Sequence, residues 1–278
     1  MGIRWLTSIF AGLVFACHVA AQPSLPATAV VHEVAVEVSD YPLVFVPIRV
    51  NGRQVRALLD TGSSSAVRLS SRLAQELKLV LVADAKTTMQ GLDGRRLALE
   101  RGRLDTLSIG GILGKDVLAE VAGDRVESIS AQVGTSFDVV LGWGFLSHYH
   151  FVLDYRKRLL LLSNGPLPPP SGQGRTVPYS IANRLPVVAT KISGQDVKLL
   201  LDTGAPMCNL DAEFAQTLSG QVVSRDLLLG GQPLLVEWRV KDLSVTRQAL
   251  GTAGSLGNNL LGRYAVYFNT RDQTITLD

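Results

Sequence analysis

Two tracts of the chain carry the same succession of apolar and polar positions. In the first, a branched, apolar run at residues 43–50 meets a turn dipeptide, Asn51-Gly52. A second apolar run at 55–59 then leads directly into Asp60-Thr61-Gly62. In the second tract, residues 185–192, Ser193-Gly194 and residues 197–201 lead in the same way into Asp202-Thr203-Gly204. Residues 50–62 and 192–204 correspond position by position without a gap, the mark of a duplicated structural unit. Branched runs flanking Asn-Gly or Ser-Gly predict a β-hairpin at the head of each unit. Further strands are expected over 30–38, 152–162 and 265–277.

Helical periodicity is sparse. Ser70 or Ser71 is placed to cap a short helix over 72–78, and Asp211 to cap one over 212–218. Both follow their Asp-Thr-Gly at a similar distance. Residues 164–175 hold consecutive prolines among glycines, which suits an extended spacer and no sheet interior. The organisation expected is therefore a leader over 1–21, one lobe over 22–163, a linker over 164–175 and a second lobe over 176–278, all-β with short helices.

Composition narrows the class without changing that picture. The chain has 278 residues, 46% of them hydrophobic and 18% charged, which favours a packed globular protein. Its net charge of +3 comes without a Lys/Arg block, so a nucleic-acid partner is not expected. Arg4, the apolar run that follows and Val19-Ala20-Ala21 before Gln22 form a secretory signal pattern, implying a periplasmic or secreted protein. Residues 14–17 loosely resemble a lipobox, which leaves a lipid anchor at Cys17 as the other reading. No later stretch is long and apolar enough to cross a membrane. With Cys17 removed, Cys208 is a lone thiol, best read as a small buried residue. His148 and His150 could share one side of a strand, but without a third ligand nearby no metal is expected.

The chemistry sits in the paired carboxylates. An apolar strand ending in Asp-Thr-Gly presents its carboxylate from a rigid base, the glycine permits a tight turn, and the threonine hydroxyl can bond to the opposite loop. Two carboxylates brought together cannot both ionise easily, so the pair shares a proton. One can then polarise a carbonyl while the other activates water, without metal or cofactor.

These features resemble the retropepsin-like and pepsin-like aspartic proteases, with both lobes in one chain. The resemblance implies two acid-protease-like β-barrels with the site at their interface, peptide substrates and a monomer sufficient for activity. It assigns Asp60 and Asp202 as the catalytic pair, with Thr61 and Thr203 interlocking the loops and Gly62, Ser63, Gly204 and Ala205 supporting them. Ser63 is expected to bond the carboxylate of Asp60, which Ala205 cannot do for Asp202. The family's apolar-apolar-Gly crossing segment is read at Val139-Val140-Leu141-Gly142 and at Leu260-Leu261-Gly262. Twelve residues separate Gly142 from Asp154 but seven separate Gly262 from Asn269, so the helix in the second lobe is expected to be trimmed. Gly142-Trp143-Gly144 has no assigned role. Flaps are expected in both lobes, at Gly91-Leu92-Asp93-Gly94 and at Gly230-Gly231. The competing function is a non-catalytic peptide- or protein-binding module on the same scaffold; pairing of single lobes between chains is a third arrangement that the duplication makes unnecessary.

Overall fold

A computed structural model describes residues 30–82, 87–90, 96–122 and 125–278. The leader and Cys17 lie outside the described residues. Each half builds a closed barrel of six described strands in the same connectivity. In the first half the circuit runs Val44–Val50, Arg53–Asp60, Val139–Gly142, Val67–Leu69, Ile112–Val121 and Arg96–Ile109. It closes where Arg49 and Val50 meet Ser108 and Leu107. In the second it runs Leu185–Ile192, Gln195–Leu201, Gly254–Leu256, Cys208–Asp211, Gln232–Lys241 and Val222–Leu229. It closes where Lys191 and Ile192 meet Leu228 and Leu227. Closure removes the sheet edges that an open arrangement would leave unpaired.

The predicted hairpins form as expected, with Asn51 and Ser193 in the left-handed region and glycine after each. The runs at 152–162 and 265–277 are not single strands. Each is a hairpin, His150–Asp154 with Leu159–Ser163 and Ala265–Asn269 with Thr274–Leu277. Their turns contain no Gly or Pro, which hid them. Instead Asp154 Oδ1 accepts from the Lys157 N–H at 2.9 Å, and Asn269 Oδ1 from the Asp272 N–H at 3.0 Å. These side-chain bonds hold the turn.

The two hairpins join in one base sheet. Phe151–Asp154 pairs with Ala265–Phe268, so the last strands of both halves are neighbours. Val31–Ala35 flanks the sheet on one side and Arg175–Ala182 on the other. Phe151 and Phe268 stack at 4.3 Å in its middle. Trp143 packs within 6.3 Å of both rings and of Tyr179. Residues 164–174, the proline-rich segment, run outside any strand.

Ser70 caps the helix Ser71–Glu76, its Oγ accepting from the Leu73 N–H. Asp211 caps Ala212–Ala215, which is shorter than expected because Gln216 turns left-handed. Two further helices, Arg125–Val133 and Ser244–Leu250, were not signalled by periodicity. The first covers the outer face of its barrel, burying Val126 against Phe45, Leu58, Phe137 and Val140.

Candidate active site

Each Asp-Thr-Gly turn sits at the mouth of its barrel, directly after three buried apolar residues, Ala57-Leu58-Leu59 or Leu199-Leu200-Leu201. The turns face each other. Thr61 Oγ1 donates to the Leu201 carbonyl at 2.8 Å and accepts from the Thr203 N–H at 3.0 Å. Thr203 Oγ1 donates to the Leu59 carbonyl at 2.9 Å and accepts from the Thr61 N–H at 3.0 Å. Both threonines are fully buried. Four reciprocal bonds therefore fasten the two halves at the point where the carboxylates emerge.

The carboxylates converge. Gly62 donates its N–H to Asp60 Oδ1 at 2.8 Å, and Gly204 donates to Asp202 Oδ1 at 3.1 Å. A Cβ on Gly62 would lie 2.6 Å from Asp202 Oδ1, and one on Gly204 would lie 2.4 Å from Asp60 Oδ1. Each glycine is thus required by the opposite carboxyl, which occupies the space a side chain would fill.

Electrostatics act on both acids. Burial raises both pKa values. At Asp60 the rise is opposed by the Arg68 guanidinium, by the Gly62 N–H, by a hydrogen bond from Asp202 and by the Ser63 N–H. At Asp202 the negative charge of Asp60 adds to burial, outweighing the Gly204 N–H and Lys241, and pushes the pKa up to about 8. Both acids are thus pushed up, and the pair favours holding a proton between them.

Ser63 does not play the part expected of it. Its Oγ is buried without a hydrogen-bond partner among the described residues, because the turn directs its N–H toward residue 60 and leaves the hydroxyl aside. Ser63→Ala should leave thermal stability unchanged or raise it by up to about 1 kcal/mol, since no bond is lost with the hydroxyl; a calorimetric melt measures this.

The crossing segment of the second lobe also differs from expectation. Leu199, Leu200 and Leu201 pair with Gly254, Ser255 and Leu256, as Ala57, Leu58 and Leu59 pair with Val139, Val140 and Leu141. The counterpart of Gly142 is Gly257, not Gly262. Twelve residues separate Gly257 from Asn269, as twelve separate Gly142 from Asp154, so nothing is trimmed. The equivalent helices are Trp143–Leu146 and Asn258–Leu261. Gly254 disguised the strand: a Cβ there would lie 2.0 Å from the Asn209 carbonyl oxygen, so close strand approach excludes a branched residue.

This correspondence gives Gly142-Trp143-Gly144 its role. The Trp143 N–H donates to the Ser63 carbonyl at 2.7 Å, and the Asn258 N–H to the Ala205 carbonyl at 2.9 Å. The side chains then diverge. Trp143 packs into the aromatic base, whereas Asn258 Nδ2 donates to the Thr203 carbonyl at 2.8 Å and to the Pro42 carbonyl. Asn258 Oδ1 accepts from the Tyr155 hydroxyl at 2.7 Å. Sequence reading missed Tyr155 and Asn258; the equal spacing from the crossing glycine was the signal available. Cys208 is fully buried, its thiol pushed up to about 12 by burial, and its sulfur accepts from the Gly257 N–H at 3.2 Å.

The halves differ most in their hairpins. In the first, Thr87–Gln90 pairs with residues 96–99 and prolongs the Arg96–Ile109 strand beyond the barrel. Gly91, Leu92, Asp93 and Gly94, the expected flap, lie outside the described residues. In the second, Gly230-Gly231 is not a flap. It joins Val222–Leu229 to Gln232–Lys241, the position that Gly110-Gly111 holds in the first barrel. It lies against Arg175 and Val177 of the base sheet, past the point where Leu228 pairs with Lys191. The second lobe has no strand equivalent to Thr87–Gln90, because strand follows helix there almost directly.

His150 Nδ1 accepts from the Thr270 N–H at 3.2 Å, which fixes the ring in the base sheet. No described helix is long and apolar enough to cross a membrane.

Part of the chain matches known proteins. Residues 46–145 match the family described as aspartyl protease. Among solved structures the chain is similar to a retropepsin-like aspartic protease from Rickettsia conorii, at 20% identity and a TM-score of 0.34, over 49% of this chain and 93% of that one. No curated protein matches. The match over residues 46–145 bears out the resemblance to aspartic proteases, and the fold is two lobes, each a closed six-strand barrel.

Proposed function

We propose that the protein is an aspartic endopeptidase in which Asp60 and Asp202 activate one water molecule. The observation that carries this reading is the mutual exclusion at the turns: each glycine abuts the opposite carboxyl, whose oxygen would lie only 2.6 or 2.4 Å from a Cβ added there. Ionised Asp60 takes a proton from water as the oxygen attacks the peptide carbonyl carbon. Asp202 gives its proton to the carbonyl oxygen, and a neutral tetrahedral diol results. The diol collapses as the C–N bond breaks, the leaving nitrogen takes the proton from Asp60, and a hydroxyl proton returns to Asp202. Both acids come from one chain, so a monomer suffices.

The leader over 1–21 supports export to the periplasm or beyond, with a lipid anchor at Cys17 as the alternative processing. Incubating the purified protein with a mixed peptide library between pH 4 and 8, with mass spectrometry of the products, tests the reading. Discrete internal cuts are expected; peptide binding without any cut supports the binding-module alternative instead.

A further inference from the structure

We propose that the cleft selects peptides carrying carboxylate side chains close to the scissile bond, through a cationic pair, Arg239 and Lys241, on the second lobe. This rests on the peptide-cleft reading above. The two residues alternate with buried Trp238 and Val240 along one strand, so both side chains leave the barrel on the same face.

Among the described residues, neither cation forms an ion pair. Strand register sets Arg239 beside Asn209 and Lys241 beside Asp211. Asp211 is already committed: Oδ1 accepts from Arg247 at 2.8 Å and Oδ2 from the Leu243 N–H at 3.1 Å. Glu237, on the same face, forms no ion pair with either cation among the described residues. The Arg239 guanidinium donates to Met207 Sδ at 3.6 Å, a weak acceptor. Burial and the charge of Arg239 lower the pKa of Lys241. The Met207 contact, three positions past Gly204, sets the pair on the Asp202 side of the cleft.

The duplication supplies an internal control. The position equivalent to Arg239 in the first lobe is Glu120, which faces Arg68 in the same register. Glu120 accepts from Arg68 at 3.2 Å and lies 3.9 Å from Arg101. Even there two guanidinium groups share one carboxylate, and the Nε atoms of both arginines are buried without a partner among the described residues. In the second lobe Arg239 replaces the acid, Asn209 and Val222 replace the two arginines, and Lys241 lies two positions along the same face. Like charges held together on one strand face are destabilising. An anion supplied by the bound peptide removes that repulsion, and a carboxylate matches the guanidinium fork.

The test uses Asp60→Asn protein, which binds without turnover, and two fluorescent decapeptide pools. The pools are identical except for Glu or Gln fixed at the two central positions. Fluorescence anisotropy at low salt should show about tenfold tighter binding of the Glu pool, a preference that shrinks as salt rises. Adding Arg239→Gln should bring the ratio to within twofold, and Arg239→Lys should restore most of it. Equal affinity for both pools, including no binding to either, overturns the inference, as does a preference that survives both Arg239→Gln and Lys241→Gln. Cleavage by the unsubstituted protein is measured separately: a Glu preference without any cleavage overturns the peptidase reading alone.

Discussion

Asp60→Asn and Asp202→Asn should each lower peptide hydrolysis by at least about 10³-fold while the fold persists, because each removes one half of a proton-transfer pair. The two variants should differ in their response to pH. Burial and the charge of Asp60 push the Asp202 carboxyl up to about 8 in the folded chain, against an ordinary carboxylate value of 3.8. Its pKa is raised on folding, so its contribution to stability is complete below the unfolded value and is lost as pH rises toward the folded one. Asp202→Asn should therefore flatten the dependence of melting temperature on pH between about 4 and 8. In the unsubstituted protein, activity should fall about tenfold per pH unit above about 8, where the pair loses its shared proton. Peptide cleavage and differential scanning calorimetry across that range measure both effects. Retained cleavage in either Asn variant removes the dyad from the mechanism.

Thr61→Val should destabilise the protein by about 2–5 kcal/mol, although valine matches threonine in shape. The substitution leaves the Thr203 N–H and the Leu201 carbonyl buried and unpaired, at about 1–3 kcal/mol each. Thr203→Val strands the Thr61 N–H and the Leu59 carbonyl in the same way. The double variant should fall short of the sum, since the first substitution already loosens the shared interface. Thr61→Ser keeps the hydroxyl and should cost far less. Chemical denaturation of the four variants gives the comparison; a loss under about 1 kcal/mol for Thr61→Val would show that the interlock adds little.

Much of this site was legible before any coordinates. Asp60 and Asp202 follow from the repeated phrase, and the caps at Ser70 and Asp211 follow from residue type and spacing. What escaped notice did so for physical reasons. Gly254-Ser255-Leu256 forms a strand because its backbone lies too near Asn209 for larger residues, whereas Leu260-Leu261 merely looks like one. Gly230-Gly231 announces a tight turn, but only the pairing of Lys191 and Ile192 with Leu228 and Leu227 shows at which end of the barrel it lies. The Ser63 hydroxyl was judged by chemistry alone, yet its orientation is set by the turn.

The seam between the terminal hairpins carries one more implication. Phe151–Asp154 and Ala265–Phe268 form a continuous ladder, so the backbone joint at 164–174 is dispensable once folding is complete. A molecule nicked there should stay whole, and its two fragments, produced separately, should reassociate into a working split enzyme.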